Sequence, residues 1–359
     1  MDFSALRAEF PVLGKVAYLN AGTDGPLPAR AAEAAAEELA REAREGRSRA
    51  HFERRSELGG ELRRAYAGLL GCEPDDVALT SCTSEGIAQT IAGLPLGPDD
   101  EILTSDEEHP GLLGALSAAR ELRGLSVREV PLARIAEEIG PATRLIACPH
   151  VGWMSGSEAP RELADVDVPV LLDGAQGIGA VPVPVEELGC AFYAASGQKW
   201  LCGPDGTGML YVSASLRERL EVSKRCFGNL ADPDAGLHAR LHEDARSLDS
   251  PSLSAEALAC AVTSVGVLAS AGWPAVHRRG RELAGALATR LRESAREVAP
   301  RADTTLVSFH SEDPEAERAR LAESGCVVRN IPGRPWLRAS VGAWNDEEDL
   351  DRLLATLSP

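Results

Sequence analysis

The sequence predicts an α/β fold: a large three-layer αβα domain on a mostly parallel sheet, followed by a smaller C-terminal α+β domain. Three observations carry this expectation. Helix-like stretches rich in Ala, Leu, Glu and Arg alternate with short β-branched runs, which implies right-handed βαβ crossovers. The run "VPVLLDGAQ" is almost continuously apolar and ends in an acid, as a strand buried on both faces of a parallel sheet does. The alternation breaks after about residue 250, where two long helical stretches precede a short mixed segment.

In chain order, residues 30–47 and 57–70 read as helices, and "DVALT" at 76–80 reads as a strand. That strand runs through "SCTSEG" into a helix over about 85–93. "EILTS" is the next strand, then come a helix near 111–123 and the strands "SVREV" and "RLIACPHV". The buried run "VPVLLDGAQ" follows, and "CAFYAAS" and "GMLYV" are strands flanking Lys199. Beyond residue 250 the pattern gives helices at 253–270 and about 274–297, strand 305–310, helix 314–324, strands 326–330 and 336–343, and a closing helix. Asn345 is the expected N-cap of that helix, with Glu348 completing a capping box.

The 359 residues are 44% hydrophobic and 26% charged, the balance of a globular protein. A net charge of −18 repels nucleic acid and anionic membrane surfaces, so neither is an expected partner. The start "MDFSALRAEFPVLG" lacks the basic and long apolar regions of a signal peptide, and no apolar run reaches membrane-spanning length. The expected location is the cytoplasm. Eight cysteines form no CxxC pair and no Cys/His cluster, which predicts reduced thiols and no metal site.

The chain has only three lysines, Lys15, Lys199 and Lys224, its basic charge being carried otherwise by arginine. Lys199 lies in "SGQKWLCGPDGTG", just after a predicted strand. "LLDGAQ" places Asp173 and Gln176 at the end of another, where an acid either caps a turn or pairs with a cation. "TSCTSEG" offers Ser81, Thr83, Ser84 and Gly86 at a strand-to-helix turn, a pattern that caps a helix and also suits phosphate. An acid, a phosphate cradle and a lysine at neighbouring strand ends are what pyridoxal 5'-phosphate (PLP) requires. The lysine forms a Schiff base with the aldehyde, and the acid pairs with the protonated ring nitrogen. Arginine cannot replace that lysine, because its guanidinium stays protonated.

The ordered motifs "TSCTSEG", "DEEHPG", "CPHVGWMSG", "LLDGAQGIGAVPV", "SGQKWLCGPDGTGMLYV" and "LRASVGAWNDEEDLDRLL" resemble the class V aminotransferases of PLP fold type I. That group contains cysteine desulfurases, C–S lyases, selenocysteine lyases and isopenicillin N epimerase-like proteins. The resemblance covers nearly the full length. It implies an N-terminal segment at 1–25 folding over the substrate, a PLP-binding domain at 26–252, and a linking helix with a small domain at 253–359.

The resemblance also implies roles for individual positions. Lys199 would carry the cofactor and move the substrate's Cα proton, Asp173 would pair with the ring nitrogen, and Gln176 would bond the ring oxygen. His109 would stack on the ring. Thr83, Ser84 and Ser196 match phosphate contacts, and Cys82 and Gln198 join the cofactor-binding set. Ser250 in "LDSPS" would reach the partner subunit's phosphate, which implies a homodimer with shared sites. Arg338 matches the clamp on the substrate's α-carboxylate, a bidentate role suited to its fork. Asn20, Ala21 and Trp153 match substrate-side positions.

Two departures separate the chain from desulfurases that form an enzyme persulfide. "GCVVRNIPGRPWLRAS" has no cysteine between Arg329 and Arg338, and Cys326 falls in an apolar strand where a thiol is inert. Trp153 stands where those enzymes usually keep an asparagine. The expected function is therefore PLP-dependent C–S β-elimination from a cysteine, cystine or cysteine-conjugate substrate. The alternatives are an aminotransferase or epimerase of the same family, and a non-catalytic binding protein of the same fold.

Overall fold

A computed structural model describes residues 3–357. In chain order the elements are α1 (Ser4–Ala8), β1 (Ala17–Tyr18), α2 (Ala29–Glu45), α3 (Arg49–Leu70), β2 (Val77–Thr80) and α4 (Thr83–Gly93). Then come β3 (Glu101–Ser105), α5 (Pro110–Arg123), β4 (Ser126–Val130), β5 (Thr143–Pro149), β6 (Val170–Asp173), β7 (Phe192–Ser196), β8 (Gly208–Val212) and α6 (Ala214–Arg217). The chain ends with α7 (Ala255–Ser270), α8 (Trp273–Glu293), β9 (Leu306–His310), α9 (Pro314–Glu323), β10 (Cys326–Val327), β11 (Arg329–Asn330), β12 (Trp336–Ser340) and α10 (Glu347–Leu357).

The central sheet has the order β2-β8-β7-β6-β5-β3-β4, and only β8 runs against its neighbours. The carboxyl ends of the other six strands therefore share one edge. Alternation along each strand builds a core on both faces. Leu172, Ile146 and Tyr193 pack with Leu58 and Leu62 of α3 and Leu258 of α7. Leu171, Leu145 and Phe192 pack with Ile87 of α4 and Leu112 of α5. This is the expected three-layer arrangement around a mostly parallel sheet, and the run containing Leu171 and Leu172 is buried throughout.

The smaller antiparallel sheet, β11-β12-β9, packs against α8 and α10 through Leu283, Leu287, Phe309, Leu337 and Leu353. The N-terminal segment joins this part of the molecule, because β1 pairs in parallel with β10 and Asn20 bridges to Ser340. No single helix among the described residues is long and apolar enough to cross a membrane.

Three local expectations need correction. The helix expected at 57–70 begins at Arg49. Its first two turns are too charged to show apolar periodicity, and they include the Arg49–Glu53 ion pair. The strand expected at 326–330 is two strands, since β10 joins β1 while β11 joins β12. The closing helix is capped by Asp346, which accepts from the Asp349 amide at 3.1 Å while Asp349 accepts from the Asp346 amide at 3.3 Å. Asn345 and Glu348 do not form that box. Asn345 instead ties Gly342, Tyr18 and Asp349 together.

Candidate active site

A cavity of about 250 Å³ opens at the shared carboxyl edge of the sheet. Asp173 ends β6, Ser196 ends β7, and His109 and Trp153 follow β3 and β5. Lys199 sits in the β7–β8 connection, and all five residues line the cavity. Parallel strands leave a crevice at this edge, which is where α/β sheets place ligands.

Lys199 makes no ion pair among the described residues. Burial lowers the pKa of its amine, Asp173 and Asp24 oppose that shift, and Arg338 adds to it. The result is an amine more readily neutral than a surface lysine, as a nucleophile needs. Asp173 is 6% exposed, and among the described residues its carboxylate accepts only from the Ala175 amide, at 2.9 Å. Burial raises its carboxyl and Lys199 pulls it back. Beside it Glu108, also buried, has Oε1 without a hydrogen-bond partner and is pushed well up by burial and by Asp173.

His109 is the N-cap of α5, followed by Pro110 at the first helical position, and its Nδ1 accepts from the Gly111 amide at 3.0 Å. The neutral ring therefore carries its proton on Nε2. Trp153 meets His109 edge-on, with centroids 5.1 Å apart, and donates from Nε1 to the Glu108 carbonyl at 2.9 Å.

Burial, with the cations Lys199, Arg329 and Arg338, lowers the pKa of His109 to about 4; burial alone does the same to His150, and burial with Arg281 to His277. The folded form thus binds fewer protons than the unfolded chain between pH ~6.5 and 4, so these groups remove stability as pH falls through that window. Tm should fall less steeply from pH 6.5 to 4.5 in His150→Gln than in the wild type, as measured by thermal melts. Parallel curves would show that His150 does not titrate differently on unfolding.

At the other wall, the Thr83 amide donates to Ser196 Oγ at 2.9 Å, and the two hydroxyls lie 2.5 Å apart. Helix α4 starts at Thr83 rather than near 85, so Cys82, Thr83 and Ser84 stand at its N-terminus and line the cavity. Gln198 also lines it, with Oε1 buried and unpartnered. Gln176 is fixed at both ends: Oε1 accepts from Trp200 Nε1 at 3.0 Å, and Nε2 donates to the Gly22 carbonyl at 2.8 Å. One amide hydrogen of Nε2 is left for a ligand.

Arg338 is 0% exposed and has no carboxylate partner among the described residues. It donates to the Trp153 carbonyl at 2.8 Å and to Thr23 Oγ1 at 3.3 Å, while Nε is unpartnered. Burial and the neighbouring Arg329 lower its pKa to about 9. A buried guanidinium without an acid is costly, so the site is built to receive an anion.

Three of the residues expected here do not line the cavity. Asn20 accepts from Thr23 Oγ1 at 2.9 Å within its own turn, and Ala21 is packed in an apolar cluster with Trp200 and Trp344. Their neighbours Gly22, Thr23 and Asp24 line it instead, as a strap. Gly22 is required there, because a Cβ would lie 2.8 Å from Gln176 Oε1 and 2.9 Å from Arg338 Nη2. Ser250 lines a separate cavity of about 620 Å³ with Arg63 and Phe227, and its hydroxyl donates to Glu85. Burial alone would raise Glu85, but hydrogen bonds from Lys224, Ser250 and Ser81 hold it at about 2. Sequence reasoning also missed Arg329, whose guanidinium lies 5.7 Å from the Trp153 ring centroid at the cavity wall. Its place nine positions before Arg338 signals nothing until β11 and β12 are paired.

The model of the family Aminotransferase class-V matches residues 17–353. The chain belongs to that family. Among class-V relatives, isopenicillin N epimerase of Streptomyces clavuligerus is 27% identical over 99% of this chain and 98% of its own length. A probable cysteine desulfurase of Methanothermobacter thermautotrophicus is 30% identical, over 60% of this chain and 58% of that protein. Two solved structures of C-DES superpose closely. One is a lysine-to-alanine mutant with glycine covalently linked to the PLP cofactor, at TM-score 0.92, 26% identity and 98% coverage of both chains. The other is a complex of this cystine C–S lyase with its reaction product cysteine persulfide, at TM-score 0.91 and 26% identity, covering 97% of this chain and 98% of that one.

The fold is that of PLP fold type I, and the chain is a PLP-dependent class-V enzyme. Its residues fit the cofactor on their own terms: an amine and a buried acid share one cavity, hydroxyls and a helix N-terminus form its far wall, and Gln198 Oε1 has no partner.

Proposed function

We propose that the protein is a C–S β-lyase acting on cystine-type or cysteine-conjugate amino acids, without an enzyme persulfide. The observation that carries this reading is the connection between β11 and β12. It is a five-residue turn, 331–335, with no thiol, and it leads straight into Arg338. Cys326 is fully buried, and burial raises its thiol. The cysteine that does line the cavity, Cys82, stands at the phosphate-side wall beside Thr83. A leaving sulfur is thus served by the substrate rather than by the protein.

Bound PLP supplies the electron sink for the pair left when Cα loses its proton. The chain's residues supply the rest. Arg338 would hold the α-carboxylate, and Asp173 would pair with the cofactor's ring nitrogen. The hydroxyls of Thr83, Ser84 and Ser196, with the amides of α4, take the phosphate. Lys199 takes the Cα proton, the Cβ–S bond breaks, and the sulfur leaves with the bonding pair. Water then converts the released 2-aminoacrylate to pyruvate and ammonia. His109 lines the same cavity with its proton on Nε2 and would stack against the cofactor. Ser250 lies outside the cavity of its own chain, with its hydroxyl on Glu85, so any phosphate contact it makes would be to a second copy in a homodimer.

The test is turnover of the purified holoenzyme with cystine and with cysteine S-conjugates, following pyruvate. Pyruvate should form in step with thiol or persulfide, and the same sample should sediment at twice the 37.9 kDa chain mass. The full-length match to isopenicillin N epimerase favours a second reading. Racemisation or amino-group transfer without pyruvate would put that reading in place of the lyase.

A further inference from the structure

A further cavity, of about 510 Å³, lies between the 158–163 and 181–188 segments and α8. It shares no lining residue with the catalytic cavity. Its floor is apolar, and Leu163, Leu172 and Val181 are all buried there.

One buried polar group also lines it. His150 is 5% exposed, and its Nδ1 lies 3.0 Å from Tyr193 Oη. Gly177 closes that side of the ring, since a Cβ there would lie 2.4 Å from Nδ1. Among the described residues nothing accepts from Nε2. The Tyr193 hydroxyl is fully buried and receives the Ile178 amide, so its own hydrogen needs an acceptor. Nδ1 is the acceptor within reach, and the neutral ring therefore carries its proton on Nε2. A buried N–H donor without an acceptor is costly, so the cavity suits a ligand that brings one.

The mouth carries free charge of both signs. Glu158, Glu187 and Arg161 are exposed there, and none makes a side-chain hydrogen bond or an ion pair among the described residues. The two other charged groups of the lining, Arg281 and Asp303, are paired with each other at 3.3 Å. Glu158 lies in the field of Arg161, and its backbone is joined to the strand of His150. It bridges to Val151, and the next amide, of Ala159, donates to the His150 carbonyl at 2.9 Å. An apolar floor, an N–H donor beside an arginine, and free acids match a side chain, a carboxylate and an ammonium on one carbon.

We propose that this cavity is a binding site for an α-amino acid with an apolar side chain, separate from the active site. His150 Nε2–H and Arg161 take the carboxylate, Glu158 and Glu187 take the ammonium, and Leu163, Leu172 and Val181 take the side chain. Such a site does not depend on which bond the enzyme breaks. It lies at the base of a hairpin that carries Trp153 to the catalytic cavity, so a bound amino acid touches a segment that also builds that cavity.

The test uses the holoenzyme after borohydride reduction, which fixes the cofactor to its lysine so that it cannot exchange onto an added amino acid. By titration calorimetry this protein should bind leucine about tenfold more tightly than three truncated ligands. These are isocaproate, which lacks the ammonium, isoamylamine, which lacks the carboxylate, and glycine, which lacks the side chain. Glu158→Gln together with Glu187→Gln should erase the preference over isocaproate and bind isocaproate at least as tightly as the wild type, which also shows that the variant is folded. His150→Leu should weaken leucine binding about tenfold and leave isoamylamine binding unchanged. Arg338→Met should bind leucine as the wild type does, because the catalytic cavity takes no part. A wild type without the preferences, a double variant that still prefers leucine to isocaproate, a His150→Leu protein with full leucine affinity, or loss of leucine binding in Arg338→Met overturns the site.

Discussion

Lys199→Ala holoprotein should be colourless and should lose turnover by about 10³-fold or more. Alanine removes both the covalent attachment point and the group that moves the Cα proton, so two roles fail together. Borohydride reduction followed by peptide mass spectrometry should find the cofactor on the Lys199 peptide of the wild type and nowhere in the variant. Lys15 and Lys224 make an internal control. Lys15 lies outside the cavity, and Lys224 is occupied by its ion pair with Glu85. Lys199→Arg should behave like the alanine variant, because its guanidinium keeps the positive charge but stays protonated and cannot attach. A borohydride-stable adduct surviving in Lys199→Ala would overturn the assignment.

Arg338→Met should cut kcat/KM by about 10²–10³-fold without lowering Tm. The functional loss corresponds to an anion that no longer meets a buried, charge-assisted partner, a cost of about 3–4 kcal/mol. The stability result runs the other way because the guanidinium is unpaired in the fold. It is 0% exposed, Nε has no partner, and its two contacts are to the neutral acceptors Trp153 O and Thr23 Oγ1. Removing such a group relieves desolvation while methionine fills most of the volume. Thermal melts beside steady-state kinetics decide the point. A Tm that falls together with activity would show Arg338 to be a structural residue of β12 rather than a binding residue held at the fold's expense.

The sequence made legible what depends on local pattern and on chemical singularity. Asp173 stood out because an acid ends a run that is otherwise apolar, and Lys199 because the chain so rarely uses lysine. Burial of the sheet on both faces followed from the unbroken apolar run of β6. What escaped depends on contacts between distant parts of the chain. Thr23, Asp24 and Arg329 come together only because β1 pairs with β10 and Asn20 with Ser340, and no local signal encodes those pairings. For the same reason the sequence points to Asn20 and Ala21, while the adjacent Gly22, Thr23 and Asp24 line the cavity. Glu108 reads as one acid in the charged string "DEEH", and only burial against Asp173 makes it distinct. Asp346 rather than Asn345 caps α10 because the Asn345 side chain is already engaged by Gly342, Asp349 and the distant Tyr18 carbonyl.

The strap across the cavity also has a consequence for synthesis. Its residues leave the ribosome about 300 residues before the strands that hold it, β10 and β12. Contacts of such sequence separation close late in folding. A nascent chain can assemble the central sheet, with Lys199 and Asp173 already at its edge, while Gly22 and Asp24 still have nothing to pair with. The pocket is finished only when β10 and β12 have been made. Premature termination before residue 326 should therefore leave a reactive lysine without its cover, a product for quality control rather than a partly working enzyme.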